Sequence, residues 1–308
     1  MKKAFYIISG ILFALQFHSF GQSEIITTTH WYNRAGYNPA SIARDGYIYF
    51  FSDVRKQWIG IEGSPTVYNI QASGYSDSKQ SAYGISMVKY DVGLTTALNP
   101  SLQFAYRVKI EKDLDLSFGL SMGVYTRRIK ASAYEAETIN DPVLDYTDQR
   151  FISPDANVGA ELQGEYFFCG LSSTHLFSIW KPDDLFLITN HNYAYAFYKN
   201  TDSELYNIMT GLQVANRRNI TVVEGTAIIR FKRKTGLVRG PVELFDLGIS
   251  ASSVKRISFI SGINITSNMR CGYSCDFYLG NTFSQYGTHE IMLEYRIPLN
   301  VGRDYDWY

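Results

Sequence analysis

The side chains in this chain best equipped for chemistry are its 5 histidines and 3 cysteines. His289-Glu290-Ile291-Met292-Leu293 begins as a zinc-protease helix would. Such a helix places a second histidine one turn on, so that both rings reach one metal. That place is taken by Leu293. Gly170-Leu171-Ser172-Ser173-Thr174 lacks the closing glycine of a nucleophile elbow. Neither a phosphate loop nor a dinucleotide fingerprint is present. His30, His175, His191 and His289 have no spacing that assembles a site, and hydrogen-bonded structural roles are expected for them. A hydrolase built on His175 or His289 is the weakest reading. No metal or cofactor is expected from these motifs, and the residues alone leave the activity open. The odd cysteine count argues against a disulfide framework. Cys271 and Cys275 lie too far apart along an extended strand to pair without a turn at Gly272 or Ser274, so Cys169, Cys271 and Cys275 are read as lone thiols.

The formal net charge is +0, and basic residues are dispersed apart from Arg230 to Lys234, read as a strand end and a solvated turn. Nothing here suits nucleic acid. Lys2 and Lys3 precede an apolar run from Ala4 to Leu15, and Ser19-Phe20-Gly21 offers small residues at the positions a signal peptidase reads. This layout predicts an export signal over 1–21, with the mature chain starting at Gln22. No later stretch approaches the roughly 18 apolar residues of a spanning helix.

What must position any functional side chain is a set of strands. Leu102, Phe104, Tyr106, Val108 and Ile110 alternate with Gln103, Ala105, Arg107 and Lys109. Leu114, Leu116, Phe118, Leu120, Met122 and Val124 alternate with small and polar residues after a tight connection at Glu111 to Asp113. Alternation of this kind makes one clean face on a strand and none on a helix. It recurs in Val158–Tyr166, Val223–Lys232 and Ile291–Ile297. Further strands are expected near Gly46–Ser52, Thr66–Ala72, Ser81–Tyr90, Phe168–Thr174, Tyr193–Lys199, Leu205–Val214, Val242–Ala251, Val254–Ile263 and Cys275–Gly280. The tally is about fourteen, with no long amphipathic helix and at most a helical turn at Pro182-Asp183-Asp184 or Ser203-Glu204.

A soluble sandwich and a membrane barrel both accept such strands. Several apolar faces run for about nine residues or more, the length a tilted membrane strand needs. The chain also holds 24 Tyr and 19 Phe, which suit a membrane boundary and also suit sheets in general. Export, strand length and alternation together predict an all-β fold: a single transmembrane antiparallel up-and-down β-barrel over 22–308, set in outer-membrane lipid. The long segments Tyr134–Ser153 and Thr174–Asn192 are its candidate loops.

Several short motifs resemble the PorP/SprF family, in that family's order. They are Tyr37-Asn38-Pro39-Ala40, then Arg55-Lys56-Gln57-Trp58 with Gly63-Ser64-Pro65, then Gly84 and Asp91-Val92-Gly93. Ser153-Pro154-Asp155-Ala156-Asn157-Val158-Gly159 follows, then Cys169-Gly170-Leu171-Ser172 with His175-Leu176, then Gly287-Thr288-His289-Glu290. Physically, Asn38-Pro39 favours a turn and Gly63 with Pro65 a hairpin end. Arg55, Gln57 and Trp58 are expected inside the lumen as a plug, with Arg55 paired to Asp91 or Glu290. The resemblance implies a non-enzymatic outer-membrane protein of the type IX secretion and gliding machinery of Bacteroidota. It implies protein partners: a periplasmic component of that machinery, or a large secreted adhesin that it helps to secrete and anchor. The residues it points to, as structural or partner-binding, are Asn38, Pro39, Arg55, Gln57, Trp58, Gly63, Pro65, Asp91, Pro154, Asp155, Asn157, His289 and Glu290. The alternative is a passive pore for small solutes, which needs a lumen free of plugging side chains.

Overall fold

A computed structural model describes residues 27–44, 46–133, 147–180, 188–217, 220–233, 242–280 and 285–299. The expected export signal, the turn at Pro182-Asp183-Asp184 and most of the loop 134–153 lie outside the described residues.

Fourteen strands follow one another: β1 (Tyr47–Lys56), β2 (Thr66–Ser76), β3 (Ser81–Val92), β4 (Thr95–Glu111), β5 (Leu114–Ile129), β6 (Gln149–Gly164), β7 (Phe167–Thr174), β8 (His191–Asn200), β9 (Tyr206–Arg217), β10 (Ile220–Arg233), β11 (Val242–Ser252), β12 (Arg256–Thr266), β13 (Met269–Tyr278) and β14 (Thr288–Pro298). Each pairs antiparallel with its neighbours, and β1 pairs with β14 to close the barrel. Closure removes the unpaired edge that lipid cannot satisfy. Alternation sets the inside and the outside. On β4, Leu102, Phe104, Tyr106 and Val108 are exposed to lipid while Gln103, Ala105 and Arg107 are buried inside. On β14, Ile291, Leu293 and Tyr295 face out and Glu290, Met292 and Glu294 face in. Cys169, Cys271 and Cys275 are free and lie at outward positions.

Several boundaries differ from the sequence reading. β13 starts at Met269 rather than Cys275, and Gly272 is an inward strand position beneath Met292. β6 reaches back to Gln149, so Ser153 is in a strand and not in the long loop. Thr174, His191 and Asn192 are likewise strand residues, and the helical turn of this connection is a 3₁₀ turn over Leu176–Trp180.

The connections sort by barrel end. One end carries 57–65, 93–94, 130–148, 175–190, 218–219, 253–255 and 279–287. The opposite end carries 77–80, 112–113, 165–166, 201–205, 234–241 and 267–268, and the chain enters β1 there. They are called the loop-rich and tight-turn ends below.

The lumen is not filled by strand side chains alone. Residues 27–44 thread it from the loop-rich side towards the tight-turn end, nearly all of them buried. The thread holds two 3₁₀ turns, Arg34–Gly36 and Pro39–Ile42. Asn38 caps the second, its Oδ1 accepting the Ala40 N–H at 3.0 Å, and Pro39 supplies a fixed φ at the first turn position. This turn lies directly on the wall, over Gly119 of β5 and Gly159 of β6, which are register partners. A Cβ on Gly119 would overlap the Ala40 nitrogen, and one on Gly159 would overlap the Asn38 side chain. Trp31, Tyr32 and Tyr37 of the thread pack with Phe51, Phe168, Tyr193, Tyr195 and Phe197 of the wall. Part of the aromatic content is therefore lumen filling.

Gly159→Val is expected to lift the thread from the wall. Overpacking costs about 1–3 kcal/mol, and more where backbone is struck. Detergent-solubilised variant barrel should lose its heat-resistant compact gel form at lower temperature and be cleaved within 27–44 by added protease. Wild-type resistance in the variant would show that the thread does not rest on Gly159.

Candidate functional site

The thread is fastened by three polar anchorages. Nearest the loop-rich end, Arg55 on β1, Asp276 on β13 and Glu290 on β14 are wholly buried together. Arg55 donates to Glu290 Oε2 at 2.9 Å and to Asp276. Glu290 accepts the Thr28 N–H at 2.7 Å and the Thr29 N–H at 3.0 Å, and Asp276 accepts the Thr28 hydroxyl at 2.8 Å. One guanidinium thus offsets two carboxylates whose remaining lone pairs accept from the thread, Glu290 from its backbone and Asp276 from the Thr28 hydroxyl, which is what a buried charge requires. Beside this group, His30 of the thread lies 3.7 Å from Glu224, which also accepts from Arg256.

Deeper in, Arg34 makes a two-pronged bond to Glu161 of β6 at 2.8 and 3.1 Å, and stacks over Phe168 at 4.0 Å. Tyr195 donates to the same carboxylate at 2.5 Å. Asn38 donates to Tyr195 Oη at 2.8 Å and to the Ala160 carbonyl at 3.1 Å. The third anchorage is Tyr32, which donates to Asp246 at 2.6 Å. Asp246 sits among Arg230, Arg270 and Glu243 towards the tight-turn end.

The sequence motifs meet one another here. Arg55 and Glu290 are register partners across the β1–β14 seam. The expected pairing to Glu290 is present. The alternative, Asp91, is not used: it sits at the end of β3 with Lys89 at 2.6 Å and Thr96 at 2.8 Å. Asp276, which the sequence reading missed, takes its place. The alternation of β13 puts Asp276 on the inner face, a signal hidden by starting that strand too late.

Gln57 and Trp58 do not plug the lumen, since they fall beyond β1 in the connection 57–65. Gln57 is buried there, its N–H on the Pro65 carbonyl at 2.9 Å. Trp58 is half-buried at φ 47°, with its N–H on Thr288 Oγ1 at 3.3 Å. Gly63, at φ 68°, accepts the Gly93 N–H at 2.8 Å, so the two glycine turns hold each other. His289 faces outwards, its ring 2.5 Å from the Tyr273 hydroxyl.

The third motif pair closes the β7–β8 connection. Asn157 Oδ1 accepts the His175 N–H at 2.8 Å, and Asp155 contacts the His175 ring at 3.0 Å. His175 is held at φ 57°, and Ser178 donates to its carbonyl at 2.6 Å. This clasp seats the turn Leu176–Trp180, whose Phe177, Ile179 and Trp180 are exposed. Pro154 points outwards where β6 pairs with β5 but no longer with β7, so its missing N–H leaves no bond unmade. On the rim, Ser132 donates to Asp148 from its N–H and hydroxyl. Those bonds and Arg128 hold the Asp148 carboxyl below the usual range. This tie is complete above the ordinary carboxylate pKa and is lost as pH falls through the lowered value.

His175 and His191 stand 5.4 Å apart edge to face, and no group of three metal-ligating side chains occurs among the described residues. The geometry of the three anchorages is that of retention: each carboxylate is used in holding the thread.

Two substitutions should separate these roles. Arg55→Ala strands Asp276 and Glu290, at a cost of about 3–5 kcal/mol. Asp91→Ala removes a pair half open to solvent and should cost under about 1 kcal/mol. Thermal unfolding in detergent compares them, and equal losses would contradict the assignment. Asn157→Ala should leave the barrel folded yet speed proteolysis within 175–190; unchanged cleavage there would deny the clasp.

No match is found among curated proteins. Among solved structures the chain is similar to the toluene transporter TbuX of Ralstonia pickettii, with TM-score 0.50 and 10% identity over 91% of this chain and 96% of that one. It is similarly close to the monoaromatic hydrocarbon channel CymD, with TM-score 0.50 and 9% identity over 92% and 95%. At such identity these likenesses show a fold, that of outer-membrane barrels. The sequence profile described as type IX secretion system membrane protein PorP/SprF matches residues 19–295. The barrel therefore lies in the outer membrane, and the chain belongs to the PorP/SprF family of type IX secretion system membrane proteins.

Proposed function

We propose that this protein is a non-catalytic holder in the type IX machinery, a sealed barrel whose loop-rich end receives a large secreted surface protein. The observation that carries this reading is the thread. Residues 27–44 occupy the lumen and are tied to β6, β11, β13 and β14 by buried charge. A sealed lumen counts against a passive pore. A polar cavity beside the thread measures about 90 Å³, small for a channel. It is also lined by Asn, Tyr and Ser, which does not suit passage of an aromatic hydrocarbon.

Short turns on the periplasmic side and longer loops outside are the rule for bacterial barrels. By that rule the connections 57–65, 130–148, 175–190 and 279–287 face the exterior. Most of the family motifs converge on this end and fix the bases of its loops, where binding surfaces on a rigid scaffold are expected. A periplasmic component would instead meet the tight turns. Asp155, His175 and His289 are each committed to a structural contact, which supports a role without catalysis.

Affinity purification of the tagged barrel from gently solubilised outer membranes, with mass spectrometry, tests the reading. A large secreted protein should be recovered, and a variant with 188–190 deleted and 175–180 replaced by Gly-Ser should recover several-fold less. Recovery of the barrel alone, under conditions that preserve other membrane complexes, would refute it.

A further inference from the structure

The outer wall of the barrel carries a hollow of its own, across the sheet from the thread. It measures about 910 Å³, within the roughly 300–1,000 Å³ of small-molecule sites. Two adjacent register rows line it, one running from Leu293 to Pro100 and the next from Tyr295 to Met122. Its lining is apolar, and Ile70, Ile85, Leu102 and Met122 are more than half exposed. Its depth comes from the short side chains of Ser52 and Ala72 and from Pro100, where the β4–β5 pairing lapses.

Two rows further towards the loop-rich end the same wall turns polar. Lys56, Thr66, Asp91, Thr96, Arg128 and Arg150 are successive register partners across β1 to β6, on the outward face. Lys89 stands in the row between, opposite Tyr68. Lys89 pairs with Asp91 and Arg128 with Asp148, and each of these side chains is at least a third open. Lys56 donates to the Ser64 carbonyl at 2.8 Å. Arg150 is exposed and has no ion pair among the described residues. Four cations thus meet two carboxylates, and two positive charges are left over. Arg128 and Arg150 stand directly opposite each other, an arrangement that costs stability unless an anion joins them. The outward strand positions of β7 to β13 near this end carry no charge. The cations are therefore gathered on the strands that bear the hollow.

A hydrocarbon hollow with a cationic rim matches the two halves of an anionic lipid. Lys and Arg at a membrane surface attract lipid headgroups by about 1 kcal/mol each, and Arg binds phosphate through paired N–H groups. Along β3 the step from Met87 in the hollow to Lys89 is about 7 Å, so chain and headgroup can be held at once. A free anion would leave the hollow unfilled.

We propose that the outer wall of β1 to β6 is a binding site for a phosphorylated lipid of the outer leaflet, with an acyl chain in the hollow and the phosphate on Arg128 and Arg150. The site does not depend on the holder role.

The barrel, purified in neutral detergent and stripped of lipid, is titrated with short-chain phosphatidic acid and read by native mass spectrometry. Parallel samples receive the diacylglycerol of the same chains or inorganic phosphate. One phosphatidic acid should be retained per barrel, at least tenfold more tightly than the diacylglycerol, and inorganic phosphate should not displace it. R128Q/R150Q should weaken retention at least tenfold. Ala72→Trp fills the hollow and should do the same. Arg233→Gln, outward at the tight-turn end, should change nothing. Heat-modifiable migration confirms that each variant is folded.

Equal retention of the diacylglycerol would reduce the hollow to ordinary lipid contact and overturn the site. Displacement by inorganic phosphate, or retention unchanged in R128Q/R150Q or in Ala72→Trp, would also overturn it. Before stripping, the extracted barrel should carry a phosphorylated lipid; a bound protein that is lost in Ala72→Trp would instead make the hollow a protein interface and refute the proposal.

Discussion

A barrel in lipid must close upon itself, and closure confines every inward side chain to a space that water or protein has to satisfy. Here the inner faces of fourteen strands carry Arg55, Asp276, Glu290, Glu161, Arg230 and Asp246, all buried. Those charges cannot be left alone in a low-dielectric interior. Some pair across the wall, and the remaining capacity is taken by residues 27–44. Of the two carboxylates on Arg55, Glu290 binds the thread backbone and Asp276 the Thr28 hydroxyl, and Glu161 binds the thread's arginine. Without the thread the lumen would hold carboxylates with too few partners; without them the thread would have no reason to stay.

This constraint explains why the family motifs are scattered along the sequence yet compact in space. Asn38-Pro39-Ala40 meets Gly159, Arg55 meets Glu290, Gly63 meets Gly93, and Asp155 with Asn157 meets His175. Each motif is half of a contact. A glycine pair on β5 and β6 flattens the wall where the thread turn lies, so the wall glycines and the turn asparagine serve one contact.

The strands were legible because period-two alternation marks the clearest of them, and each of the fourteen overlaps a segment expected from the sequence. Their ends were less so. β13 begins at Met269, ahead of Cys275, with Gly272 a strand position under Met292, and Pro154 lies inside β6 at a place that has no β7 partner. The plug was located only in part: Arg55 lies in the lumen and pairs with Glu290, but Gln57 and Trp58 do not lie there. Gln57 and Trp58 looked like lumen fillers by type, whereas the main filler is a segment with no periodicity whose only sequence signal is its own Asn38-Pro39 turn and an excess of small and aromatic residues. Its partners lie more than 100 residues away in several cases, as with Arg34 and Glu161 (separation 127). No local pattern encodes such a pair.

The central claim is that residues 27–44 seal the barrel. Single-channel recording of the purified wild-type protein in planar bilayers tests it most directly. The account predicts insertion without steady conductance. A stable ohmic conductance from the unaltered protein would contradict it and return the barrel to the class of open pores.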